Sequence, residues 1–137
     1  MSNFDIKQID VCDMKDFYIA SAEDFDKATG VTVIASKEGA TASVDVRGGG
    51  PATRETDLLS PENMVQAIHA VVLSGGSAYG LEASSGVMEY LASKDIGFDV
   101  GVGKVPIVCG ASLFDLQIGQ NSYPNKEMGY RAAYNAF

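Results

Sequence analysis

The sequence predicts a single α/β domain over residues 1–137, on two observations. Short β-branched runs of strand length, residues 31–35 and 70–73, stop at or near glycines. Beyond the second run the apolar period changes, and Leu81, Val87, Met88 and Leu91 recur at helical spacing. A chain of 137 residues fits one domain and can bury about two thirds of its surface. It carries no repeat, no low-complexity stretch and no Pro/Ser-rich linker.

The first 30 residues read as acidic and irregular. Gly30 opens the strand Val31-Thr32-Val33-Ile34-Ala35, and residues 42–46 predict a second strand, with Gly39-Ala40 turning a hairpin between them. Arg47-Gly48-Gly49-Gly50-Pro51 must be a loop, because three successive glycines hold no regular element cheaply. Ser60-Pro61-Glu62 combines a capping hydroxyl, a first-turn proline and an acid, which predicts a short helix. Ala70-Val71-Val72-Leu73 is a buried strand running into Gly75-Gly76. A helix follows from Ala78 to about Ser93, and β character returns over residues 98–108. Pro124-Asn125 opens a last helix bearing Met128, Tyr130, Tyr134 and Phe137. It stops without a glycine cap, which predicts that the natural polypeptide continues.

Ten Lys and Arg against 18 Asp and Glu give a net charge of −8. Such a surface repels phosphate backbones and anionic lipid, so neither nucleic acid nor a membrane is an expected partner. No apolar run approaches the roughly 18 residues of a membrane span. The opening Met1-Ser2-Asn3-Phe4-Asp5 has no signal-peptide character, and Cys12 and Cys109 form no close pair. A cytoplasmic protein with two reduced thiols is the expectation.

Glycine-rich stretches raise the question of phosphate chemistry. Gly101-Val102-Gly103-Lys104-Val105 fails the P-loop pattern, with Phe98 in place of its first glycine and Val105 in place of Ser or Thr. Pro106 breaks a dinucleotide fingerprint. Gly75-Gly76-Ser77-Ala78-Tyr79-Gly80 has the strand-to-helix context that favours an anion. It also approximates a nucleophile elbow around Ser77, except that Tyr79 replaces the second glycine. His69, the single histidine, lies in or beside the same strand and is poorly placed to serve Ser77. The structural reading is a tight turn with Ser77 capping the helix. Arg47, Arg54, Glu55 and Asp57 read as a salt-bridge network or as an anchor for a substrate carboxylate. No carboxylate pair or metal-ligand cluster stands out, and no cofactor is expected. The residues alone give no complete active site.

Several segments together resemble one family. Gly30-Val31-Thr32-Val33-Ile34, Val44-Asp45-Val46-Arg47-Gly48-Gly49, and Thr53-Arg54-Glu55-Thr56-Asp57-Leu58-Leu59 come first. His69-Ala70-Val71-Val72-Leu73-Ser74-Gly75-Gly76-Ser77-Ala78-Tyr79-Gly80-Leu81 and residues 97–108 follow in order. They are similar to the L-aminopeptidase/D-esterase (DmpA-type) family, which includes β-peptidyl aminopeptidases and nylon-oligomer hydrolases. The resemblance implies part of an αββα sandwich like that of the N-terminal-nucleophile hydrolases. It implies a longer precursor that cuts itself into α and β chains, the new N-terminal Ser or Thr being the nucleophile. This sequence would be the N-terminal part of the α chain, with the nucleophile downstream of Phe137 and no catalytic residue of its own. Its partners would be the missing β chain, further copies in a homo-oligomer of αβ units, and a small peptide or amide substrate.

The resemblance places Gly75, Gly76, Ser77, Ser112 and Phe114 at the substrate site. Aminopeptidase members carry a Glu for the substrate's amino group and a Tyr near the oxyanion, where this chain has Ser112 and Phe114. Those departures argue against ordinary aminopeptidase specificity, since a buried ammonium without a carboxylate is costly. Two other readings stay open: a small domain binding an anion at the turn from Gly75 to Gly80, and an inactive fragment.

Overall fold

The computed structural model describes residues 6–137 as a five-stranded mixed sheet with two helices packed on one face. The signal-peptide reading of Met1 to Asp5, and the side chain of Cys12, lie outside the described residues. The sheet order is β1-β2-β4-β7-β3, with β1 Tyr18–Asp24, β2 Thr29–Ala40, β3 Thr53–Arg54, β4 Ile68–Ser74 and β7 Val108–Ser112. A separate two-stranded ribbon pairs β5, Phe98–Asp99, with β6, Lys104–Val105. The helices are α1, Ala83–Ser93, and α2, Lys126–Ala136. Among the described residues no helix is long and apolar enough to cross a membrane.

The β-branched run at residues 31–35 forms the centre of β2. Its hairpin partner is β1, with Ala22 opposite Val31 and Tyr18 opposite Ala35. This corrects two expectations. The acidic N-terminal stretch contains a seven-residue strand, and residues 42–46 do not form one. The reason is topological: β1 and β4 occupy both edges of β2, so the alternating Val44 and Val46 have no ladder to join and lie exposed.

Ser60-Pro61 does not open a helix either. A 3-10 turn at Asp57–Leu59 precedes it. Asn63 Nδ2 then donates to the Asp57 carbonyl at 2.6 Å and Gln66 Nε2 to the Asn63 carbonyl at 2.6 Å. These local bonds compete with helical ones over the few residues left before β4.

After β4 the helical period holds. A 3-10 segment, Ser77–Glu82, leads into α1, which ends at Ser93 as the spacing predicted. α1 carries the chain across to β7, which lies parallel to β4 with Ala70 opposite Val108 and Ser74 opposite Ser112. The predicted β stretch over residues 98–108 therefore splits between the small ribbon and the start of β7. In α2 the Asn125 side chain accepts from the Met128 N–H at 3.0 Å, so the predicted start is a true cap.

The core lies between the sheet and the helices. Val33, Ala35, Ala70, Val72 and Val108 from the sheet meet Ala83, Val87 and Leu91 of α1 and Ala132 and Ala133 of α2, all nearly inaccessible to solvent. The opposite sheet face bears Ile34, Val71, Leu73 and Ala111, and among the described residues no helix covers it. Only at one end do Leu58, Leu59, Val65 and Phe98 fold over Ile68, Ile107 and Cys109.

Candidate functional site

Because β4 and β7 run parallel, both finish at the same end of the sheet, and the segments that follow them converge there. The structure brings four of the five predicted site residues together at that point. Gly75 and Gly76 leave β4, Ser77 opens the 3-10 segment, and Ser112 closes β7. Ser112 Oγ donates to the Gly75 carbonyl at 2.9 Å and lies 3.3 Å from the Ser74 carbonyl. The Ser77 N–H donates to the Leu113 carbonyl at 2.9 Å. Phe114, two residues past β7, is 66% exposed and does not line the groove described below.

Asp115 fastens the turn. Its Oδ1 accepts from the Gly76 N–H at 2.6 Å, and a Cβ at Gly75 would collide with the same carboxylate. Gly76 adopts φ +83° with its Cα against Tyr123, so both a left-handed backbone and a close approach require glycine there. Ser77 also has a positive φ, 55°, an uncommon state for a residue with a side chain. It makes no side-chain cap; Gly76 holds the cap position, which corrects the expectation that Ser77 caps the helix. The Gly75, Gly76 and Ser77 N–H groups are committed to the Gly30 carbonyl, Asp115 and the Leu113 carbonyl. An anion at this turn would have to displace them, including a carboxylate of the chain itself.

Above the turn lies a groove of about 500 Å³. Its walls are the side chains of Leu73, Ala111 and Leu113, with Thr32, Ser112 and Asp115 supplying polar groups. Tyr79 and Tyr123 stack beside the turn, ring centres 5.1 Å apart.

The other candidates lie elsewhere. His69 Nδ1 accepts from the Ile107 N–H at 3.2 Å, and the ring is buried in β4. Burial, with a contribution from the Lys104 charge, holds the imidazole below its ordinary value, so it is neutral near pH 7. Burial, and the Glu55 charge, push the free Cys109 thiol up, which makes it a poor nucleophile.

The predicted arginine–carboxylate network does not form. Arg47 pairs with Asp45 at 2.7 Å, whereas Arg54 reaches across to α1, bonding Ser85 Oγ at 2.8 Å and Met88 Sδ at 2.8 Å. Glu55 takes a left-handed backbone, φ 58°.

The model of peptidase family S58 matches residues 4–136. The chain belongs to peptidase family S58. An uncharacterized aminopeptidase of Mycobacterium leprae is 50% identical over 113 residues, 80% of this chain and 31% of that protein. An uncharacterized aminopeptidase of Mycobacterium tuberculosis is 50% identical over 106 residues, 77% of this chain and 31% of the relative. A 6-aminohexanoate-oligomer endohydrolase of Kocuria sp. is 33% identical over 116 residues, 84% and 30% respectively. The S58 chain thus spans less than a third of the length of these relatives, and the DmpA-type resemblance of its motifs is borne out.

Sequence reasoning gave Asp115 no role. The available signal was a carboxylate just after the largely apolar run that continues from β7. Leu113 and Tyr123 were missed because nothing in their spacing marks proximity to residues 75–77.

Proposed function

We propose that this S58 chain is the N-terminal portion of a self-processing hydrolase that cleaves amide or ester bonds of small peptides or amides. The observation that carries the reading is the groove over Gly75 and Ser112, built within residues 4–136 that match the peptidase family model. Its walls can hold an acyl or amine portion of a substrate, but neither His69 nor Cys109 is placed or charged to attack a carbonyl. The nucleophile would be the N-terminal Ser or Thr of a β chain released by self-cleavage beyond Phe137, with its own α-amino group as base.

In that reaction the hydroxyl oxygen bonds the carbonyl carbon, the amine or alcohol leaves with a proton, and water then cleaves the acyl-enzyme. Gly75 and Ser112 would contribute to the substrate-facing wall, with Gly76 and Ser77 holding the turn behind it, and none of them supplies a reacting atom. The open sheet face supports an αββα arrangement in which a second sheet from the later sequence covers Ile34 and Val71 and closes over the Leu73 side of the groove. The αβ units would assemble as a homo-oligomer in the cytoplasm, and residues 1–137 alone would be inactive.

The test is to express the full-length protein and measure the denatured masses of what purifies together, alongside amide and ester turnover. Two chains, the second beginning with Ser or Thr, and loss of turnover on replacing that residue, are the expected results. A single uncut chain with full activity would overturn the proposal.

A further inference from the structure

We infer that Arg54 anchors an interface with the later part of the full-length chain, taking an Asp or Glu carboxylate at the margin formed by β3 and α1. This rests on the reading of residues 1–137 as the N-terminal portion of a longer protein. Among the described residues every Lys and Arg is exposed except Arg54, which is half-buried. Exposed cations find acids at the surface, as Arg47 does with Asp45 and Lys126 with Glu89. The half-buried one has no carboxylate within ion-pair distance among those residues. Glu55 and Asp57, its near neighbours in sequence, are exposed and do not reach it.

Arg54 lies on the edge strand, opposite Gly110 of β7. A Cβ at Gly110 would stand 2.7 Å from Ser84 Oγ and 3.6 Å from the Arg54 Cβ, so Arg54 leaves the sheet on the helix side. The groove walls Leu73 and Ala111 belong to the other face, so the sheet separates the guanidinium from a substrate held there. On the helix side its acceptors are neutral: Nη1 donates to Ser85 Oγ and Nη2 to Met88 Sδ, each at 2.8 Å. A thioether is a weak acceptor. A half-buried cation held only by neutral groups is costly, and a carboxylate gripped by the planar fork offsets that cost.

The packing says where that carboxylate comes from. α2 lies over β1 and β2 and α1 over β4 and β7, which leaves β3 at the margin of the helix layer. Ser85 and Met88, on the flank of α1 that Arg54 touches, are themselves only half-buried. The relatives are more than twice the length of this chain, so later sequence is there to supply the next element and its acid.

The experiment uses the full-length protein carrying Arg54→Lys, which keeps the charge and adds a reactive amine. A water-soluble carbodiimide joins such an amine to a touching carboxylate as an amide, and peptide masses identify the partner. A link from residue 54 to an Asp or Glu beyond residue 137 is the expected result. No link, or links only to acids within residues 1–137 of the same or a second copy, overturns the inference.

A second measurement needs no variant to fold. Phenylglyoxal modifies accessible arginines, and an arginine held in a charge-assisted pair must first be freed. In the full-length wild type Arg54 should react at least about tenfold more slowly than the exposed Arg47, and a smaller ratio overturns the assignment. Both readouts are taken by mass whether or not the chain is cut. A single uncut chain with full activity would therefore overturn self-processing and leave the Arg54 interface standing.

Discussion

His69 shows how one side chain can carry a pH dependence without taking part in chemistry. Its ring is buried in β4, its Nδ1 accepts from Ile107, and Lys104 lies near enough to oppose a second positive charge. Its folded value therefore lies below the ordinary 6.5. The unfolded chain binds the extra proton more readily, so stability rises with pH where only the unfolded form is protonated. The neutral-imidazole contribution is fully present above pH 6.5 and is lost as pH falls from 6.5 through the lowered folded value. Glutamine at this position retains an acceptor for Ile107 and cannot titrate. Denaturant titrations of wild type and His69→Gln should converge in slope above pH 7 and separate below 6.5, with the variant flatter. Parallel curves across that window would show that the proton is not excluded by the fold. The aspartate and glutamate shifted downwards, Asp24 and Glu62, act at more acidic pH and are common to both proteins.

At the scale of elements, the helix layer depends on how closely α1 and α2 approach. A Cβ on Gly86 would collide with the Lys126 carbonyl, and one on Gly129 with the Ala83 carbonyl, so each helix uses a glycine where the other's backbone passes. Lys126 and Glu89 add an ion pair at 2.9 Å, but both are about half exposed and contribute little. In an exposed helix, Gly→Ala stabilises by about 1 kcal/mol through backbone entropy. Here the clash is with backbone rather than a movable side chain, and overpacking costs about 1–3 kcal/mol. Gly86→Ala is expected to lower the melting temperature by a few degrees; a rise would mean that the helices separate without cost.

The same elements show what could be read from sequence. α1, α2, β2 and β4 were legible because each is long enough for its apolar period to register, as in Val87 and Leu91 or Val31 and Val33. β1 was not, because Glu23 and Asp24 at its end mask a short alternation and its strand character comes from pairing with β2. Val44 and Val46 gave a false strand for the converse reason, since propensity without a free edge makes no ladder. At the site, the glycine turn and the segment after β7 were legible as motifs. Their junction through Asp115 and Leu113 was not, because it joins residues nearly forty apart through a parallel crossover that no local pattern encodes.

For the whole molecule, the question is what the helix-free face of the sheet meets. Register places Ile34 beside Val71 and Cys109, and Thr32 beside Leu73 and Ala111, so an apolar strip crosses three adjacent strands. Leu73 at its centre is 47% exposed. A sheet with one face packed on helices and the other apolar and bare is half of a layered fold, since each apolar face needs a partner layer. The relatives are more than twice the length of this chain, which leaves ample sequence to supply that layer. Leu73→Asn in the full-length protein separates the two cases. If the face stays in solvent, the substitution shifts stability by no more than about 0.5 kcal/mol. If a second sheet covers it, the change both removes buried apolar volume and buries an amide, and should cost about 2–5 kcal/mol. Thermal unfolding with the yield of processed chains reads the difference: the proposed sandwich requires a lowered melting temperature and reduced processing, and wild-type values for both would leave the face bare and the sandwich refuted.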